Sequence, residues 1–205
     1  ASKTGGIFSA TNLNRLSMKN LWISNNYDSI GPDAFPVINQ SFPTYQLVGT
    51  LFSLSNSFLS FNSCLFSSMV VSGDDGEIFV GTSIEFEDTF SIYTNISFWK
   101  SCFALTSSTI NLKNTVYENI SSTMPSNPND LATITYPIFY LVSNNYLKAS
   151  NISAQFIDCR INVGGGGFLY SSASSFSIEN SSFLYVTSYK GGAIYASGNQ
   201  LSNSV

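Results

Sequence analysis

The sequence repeats itself, and each copy is too short to fold alone. Gly5-Gly6-Ile7-Phe8-Ser9-Ala10 is echoed by Gly191-Gly192-Ala193-Ile194-Tyr195-Ala196. Between them stand Gly49-Thr50-Leu51-Phe52, Gly76-Glu77-Ile78-Phe79, Tyr136-Pro137-Ile138-Phe139 and Gly166-Gly167-Phe168-Leu169, with a weaker copy at Ser101-Cys102-Phe103-Ala104. The starts lie 44, 27, 25, 35, 30 and 25 residues apart. A second signal trails each start. After Gly166 it reads Phe176, Ile178, Asn180, Phe183, Val186; after Gly49 it reads Leu59, Phe61, Ser63, Phe66, Met69. The copies after Ser101 and Gly5 match with a shift of one, and those after Gly76 and Tyr136 require larger shifts. Two-residue alternation followed by a step of three describes a strand, a bend and another strand. Some 25 residues holding three short strands cannot bury an apolar face, so successive copies must stack. The expected fold is an all-β parallel β-helix of about seven coils in a single domain over residues 1–205. Phe52, Phe66, Phe79, Leu169, Phe183 and Ile194 are expected to form continuous, nearly fully enclosed columns.

The two long spacings locate extra length. Residues 27–46 contain Pro32, Pro36 and Pro43, and residues 121–134 contain Pro125 and Pro128. Proline cannot donate to a sheet ladder, so both segments read as Pro-rich insertions at the side of the coil.

Composition then excludes function classes. Charged residues are only 10%, with Lys+Arg 8 against Asp+Glu 12 for a net charge of −4. That balance argues against a nucleic-acid partner and against electrostatic docking on an anionic membrane. His is absent, which removes Ser–His and Cys–His nucleophiles, His general bases and His metal ligands. No run of eighteen apolar residues exists, so no membrane-spanning helix is expected. The polar surface falls to 37 Ser, 14 Thr and 21 Asn.

The Gly-Gly-x-apolar starts and their trailing aromatic–x–x–Asn/Cys echoes resemble a known repeat class. It is the right-handed parallel β-helix of bacterial polymorphic outer-membrane proteins and pectate-lyase-like surface proteins, with similar repeats in large surface proteins of single-celled eukaryotes. The clearest copy is Gly191-Gly192-Ala193-Ile194. The resemblance implies a right-handed coil. Its members include adhesins, structural surface proteins and polysaccharide enzymes, so fold alone does not choose among them.

Few residues offer chemistry. Asp74-Asp75, between Gly73 and Gly76, reads as a turn or as the start of an acid pair or calcium site. Glu85, Glu87 and Asp88 form a second acidic patch, read as a solvated face with calcium binding as the alternative. Cys64, Cys102 and Cys159 are odd in number and read as buried free thiols, with Cys102 and Cys159 sharing a column and a bond to a further part of a longer chain as the alternative. Asn39, Asn95, Asn119, Asn151 and Asn180 head Asn-x-Ser sequons and are the candidate N-glycosylation sites. Asn151 and Asn180 alternatively face inward as an asparagine ladder. The run Val163-Gly164-Gly165-Gly166-Gly167 lacks a following helix or Lys-Ser/Thr pair and reads as a bend. Ile7, Leu51, Ile78, Ile138, Phe168 and Ala193 form an apolar column that either turns inward at a corner or makes an external adhesive strip.

The expected function is therefore a non-catalytic extracellular or cell-surface structural or adhesive solenoid, an assembly or fibre subunit. No catalytic, cofactor or metal site is expected. The partners would be other copies of the chain, adjacent domains of a longer chain, or glycans. The alternative is a polysaccharide-binding or polysaccharide-cleaving β-helix. Gly191 opens a copy with few residues after it and Gly5 opens one with few before. The solenoid is thus expected to continue in a longer chain or to stack end to end.

Overall fold

The computed structural model describes residues 8–24, 47–48, 50–72, 77–98, 100–122, 137–159 and 166–198. The first coil is β1 (Phe8–Thr11), β2 (Leu16–Lys19) and β3 (Trp22–Ser24). β4 (Leu47–Val48) leads into β5 (Phe52–Ser55), β6 (Phe58–Asn62) and β7 (Leu65–Ser72). The third coil is β8 (Phe79–Thr82), β9 (Glu85–Thr89) and β10 (Ile92–Phe98), and the fourth is β11 (Phe103–Thr106), β12 (Thr109–Lys113) and β13 (Val116–Ser122). The fifth is β14 (Phe139–Val142), β15 (Tyr146–Ser150) and β16 (Ser153–Cys159), and the sixth is β17 (Leu169–Ser172), β18 (Ser175–Glu179) and β19 (Ser182–Ser188). β20 (Ile194–Ser197) opens a seventh.

Every pairing is parallel and joins equivalent strands of neighbouring coils. The first sheet runs β1-β5-β8-β11-β14-β17-β20, the second β2-β6-β9-β12-β15-β18, and the third β3-β7-β10-β13-β16-β19, with β4 beside β7. This is a right-handed parallel β-helix, about 30 Å along its sheets at ~4.8 Å per strand. β3 pairs with the first part of β7 and β4 with its end, so the first insertion leaves and re-enters the third sheet. Residues 25–46 lie outside the described residues. Ser121 and Ser122 belong to β13, so the second insertion begins later than position 121.

The corners explain the asparagine content. Each coil carries positive-φ residues at fixed points. The corner after the first sheet has Asn12, Asn56, Ser83, Ser107, Ser143 and Ala173, and the corner after the second has Asn20, Ser63, Phe90, Asn114, Asn151 and Asn180. A kink inside the third sheet has Ser68, Asn95, Asn119, Phe156 and Tyr185. Asparagine tolerates this conformation better than other side chains apart from glycine. The expected inward ladder of Asn151 and Asn180 is therefore overturned: both are exposed, because a left-handed corner directs its residue outward. An internal polar ladder sits instead at the corner after the first sheet, one residue past its positive-φ position, at Ser57, Ser108, Asn145 and Ser174. Ser108 N–H donates to Asn145 Oδ1 at 3.0 Å, and Asn145 N–H donates to Ser174 Oγ at 3.2 Å. Asn145 Nδ2 also donates to the carbonyls of Val142 and Leu105. Corner backbone groups turned inside are thereby satisfied without water.

The core is columnar. Phe8, Phe52, Phe79, Phe103, Phe139, Leu169 and Ile194 are direct partners along the first sheet. Ring contacts continue across it: Phe103 stacks on Phe139 at 4.6 Å, and Tyr93 stacks on Phe66 at 4.8 Å and on Tyr117 at 4.9 Å. The weaker copy is corrected by one residue, since Phe103 rather than Ala104 occupies the column. The copy after Gly76 needs no shift, because Phe86, Asp88, Tyr93 and Ile96 stand in the standard positions; an aspartate at an inward site obscured it. Phe52, Phe66, Phe79 and Leu169 are fully buried, whereas Phe183 and Ile194 are only partly covered. Described strands flank those two on one side only. Leu51, Ile78, Ile138 and Phe168 turn inward at the corner and are buried, so this column is not an external strip.

Candidate ligand-binding face

On each strand of the second sheet, alternate residues point out. Glu87, Asn111 and Lys148 are direct neighbours on three successive coils, and beside them run Thr89, Lys113 and Ser150. These six side chains line a groove of about 390 Å³. The side chains of Glu87, Lys113 and Lys148 make no hydrogen bond or ion pair with a described residue. A second groove, of about 400 Å³, lies at the neighbouring corner between Asn144, Tyr146, Ala173, Ser175 and Gly198. Its cause is local. The corner from β14 to β15 has three residues, Ser143-Asn144-Asn145, where β5–β6, β8–β9, β11–β12 and β17–β18 are joined by two. Ser143 and Asn144 both take positive φ, so this corner bulges, while Ala173 and Gly198 keep the next coils low. The same extra residue shifts the trailing signal after Tyr136 by one.

The two grooves share a strand. Tyr146, Lys148 and Ser150 are consecutive outward residues of β15; Tyr146 lines the corner groove and the other two line the first. Tyr146 is 45% exposed. Elsewhere, on the outside of the first sheet, Tyr170 stacks on Tyr195 at 5.4 Å and meets Tyr140 at 5.2 Å in a tilted contact. Phe156 stacks on Tyr185 at 5.3 Å outside the third sheet. Trp22, Leu65, Ile92 and Val116 form an outward apolar row there.

The acidic patch on β9 is split by the pleat. Glu85 and Glu87 face out, but Asp88 shares the inward face with Phe86 and is fully buried, which corrects its assignment to a solvated surface. Tyr93 OH donates to Asp88 Oδ2 at 2.7 Å, while Asp88 Oδ1 has no hydrogen-bond partner. Burial pushes the Asp88 carboxyl up to about 6, opposed by Ser91, Tyr93 and the Thr89 backbone. Burial, then the charge of Asp88, lifts the phenols of Tyr93 and Tyr117 well above their ordinary value. Nothing soluble reaches this cluster, so it is a structural strain rather than an accessible acid.

The remaining sequence-derived candidates separate cleanly. Asp74, Asp75 and Asn39 lie outside the described residues. Asn95, Asn119, Asn151 and Asn180 are all exposed. Asn119 Nδ2 donates to Asn95 Oδ1 at 3.3 Å, and Asn151 Nδ2 to Asn114 Oδ1 at 3.0 Å. Cys64, Cys102 and Cys159 are free and buried. Cys102 and Cys159 do not share a column: Cys102 precedes β11, while Cys159 ends β16 opposite Ser188. Gly166, with φ +76°, supplies the bend expected of the glycine run. Among the described residues no three carboxylates or thiols converge on a metal position. Among the described residues no helix is long and apolar enough to cross a membrane.

The outer-face grooves escaped the sequence reading. The corner groove has one signal, the extra corner residue, which is visible only after the coils are in register. Comparison with protein-family models, with curated proteins and with solved structures gave no match.

Proposed function

We propose that this chain is a length of non-catalytic rod in an extracellular or cell-surface protein, structural and adhesive in role. The observation that carries the reading is the placement of its chemistry. The carboxyl with a raised pKa and the three thiols are sealed in the core, while the outside repeats hydroxyls, amides and a few unpaired charges at one-coil intervals. A parallel sheet ladder holds such contacts at fixed spacing, which suits multivalent attachment. The resemblance to polymorphic outer-membrane and pectate-lyase-like surface proteins agrees with it, as do four exposed sequons at the corners and kinks.

The test has two arms. Antibody against the rod should label intact, unpermeabilised cells that express the parent protein, or recover it from their medium. The chain should leave pectins, uronans and neutral glycans uncleaved, with or without calcium. Staining confined to permeabilised cells would overturn the location, and calcium-dependent release of unsaturated uronides would overturn the non-catalytic role.

A further inference from the structure

We propose that the outer face around β15 binds an acidic oligosaccharide, a chain of sugars bearing carboxylate or sulfate groups; this rests on the adhesive reading above. Lys113 and Lys148 are exposed, lie on adjacent strands in neighbouring outward columns, and have no anionic partner. Two unpaired ammonium groups at a groove are point charges awaiting anions. Lys148 lies two residues from Tyr146, whose half-exposed ring takes part in no ring stack with a described residue. A ring that is flat, apolar and edged by a hydroxyl suits the C–H face of a pyranose. The corner groove beyond it offers the Asn144 amide and the Ser175 hydroxyl, groups matched to sugar hydroxyls.

The order along the face is therefore amide and hydroxyl, aromatic ring, lysine, lysine. It fits an extended ligand of alternating hydroxyl and anionic character better than a lone anion. Glu87, at the far end of the lysine groove, accepts from hydroxyls and opposes surplus negative charge. It also argues against a polyphosphate chain. The outer tyrosines of the first sheet make a poorer platform, because their rings already pack on one another.

Calorimetric titration of the folded chain with three hexasaccharides tests this: a polyuronate, a sulfated glycosaminoglycan and a neutral cello-oligosaccharide. The acidic pair should bind and the neutral one should not, and the stronger of the two identifies the anion. Lys148→Gln and Lys113→Gln should each weaken binding about tenfold, the size of one charge-assisted hydrogen bond. Tyr146→Ala should weaken it comparably and Glu87→Gln should tighten it. Lys19→Gln, on the same sheet but in the first coil, should change nothing, and all variants should keep the wild-type melting temperature. Failure of both acidic hexamers to bind, or wild-type affinity in the Lys113→Gln/Lys148→Gln double variant, overturns the site while leaving surface labelling of the rod intact. Shortening of an acidic hexamer by wild type but not by the double variant supports the site and overturns the non-catalytic reading instead.

Discussion

Replacing Asp88 with Asn should abolish a pH dependence of stability that runs opposite to that of most carboxylates. Asp88 is fully buried, and its carboxyl is raised from 3.8 to about 6 in the folded chain. Below pH 3.8 both folded and unfolded states hold the proton, and the stability is fully present. As pH rises further, the unfolded chain releases the proton while the folded chain retains it until about 6, so stability falls across that window and then levels. A shift of about 2 units corresponds to a loss of about 3 kcal/mol. Asparagine keeps the shape and retains an oxygen to accept the Tyr93 hydroxyl, now 2.7 Å from Oδ2. It carries no charge to desolvate. Urea denaturation of both proteins at intervals from pH 4 to 7.5 measures the effect. The other carboxylates titrate equally in both, so the difference between the curves isolates Asp88. Any cost of the new amide N–H₂ is independent of pH and offsets that difference uniformly. The difference should grow by about 2 kcal/mol in favour of the variant between pH 4 and 7, because the unfolded chain has already begun to release its proton at pH 4. Parallel curves, or a wild type that gains stability relative to the variant as pH rises, would refute the account of Asp88 as a desolvated acid.

Phe103→Ala should cost about 3–5 kcal/mol, because its buried ring contacts Phe79, Phe86, Tyr93 and Phe139, and Phe183→Ala about half as much because that ring is only partly covered; urea midpoints check both. Phe90 is 56% exposed at φ 60°, in a corner column where other coils place Asn or Ser. Phe90→Asn should therefore raise stability by about 1 kcal/mol, read as a higher melting temperature. Maleimide should label the native thiols far more slowly than the urea-unfolded ones, since all three are buried and burial lifts Cys102 well above its ordinary value and pushes Cys159 up to about 12. Rapid native labelling of Cys102 or Cys159 would show that the coil opens at its core.

Architecture was legible in the sequence because a coil repeats its constraints. Each turn needs an inward alternation, a corner and another alternation, and Phe52, Phe66 and Phe79 mark the turns whatever lies between them. The asparagine excess was visible too, but its meaning was not. Only the backbone shows that Asn114, Asn151 and Asn180 occupy left-handed corners facing out after the second sheet, while Ser108, Asn145 and Ser174 form an inward ladder at the corner after the first sheet. The free, buried state of Cys64, Cys102 and Cys159 agreed with expectation, yet their columns did not.

What the chain determined by itself is the period: alternating apolar residues in copies too short to bury themselves admit stacking and little else. What the tertiary structure decided is register and face. On a strand, a shift of one residue exchanges inside for outside, so the same acidic run sends Glu87 to a groove and Asp88 into the core. The grooves around Tyr146 and Lys148 belong to no single copy. The corner groove at Tyr146 arises where a three-residue corner is stacked against two-residue ones, and such a mismatch exists only between neighbouring coils.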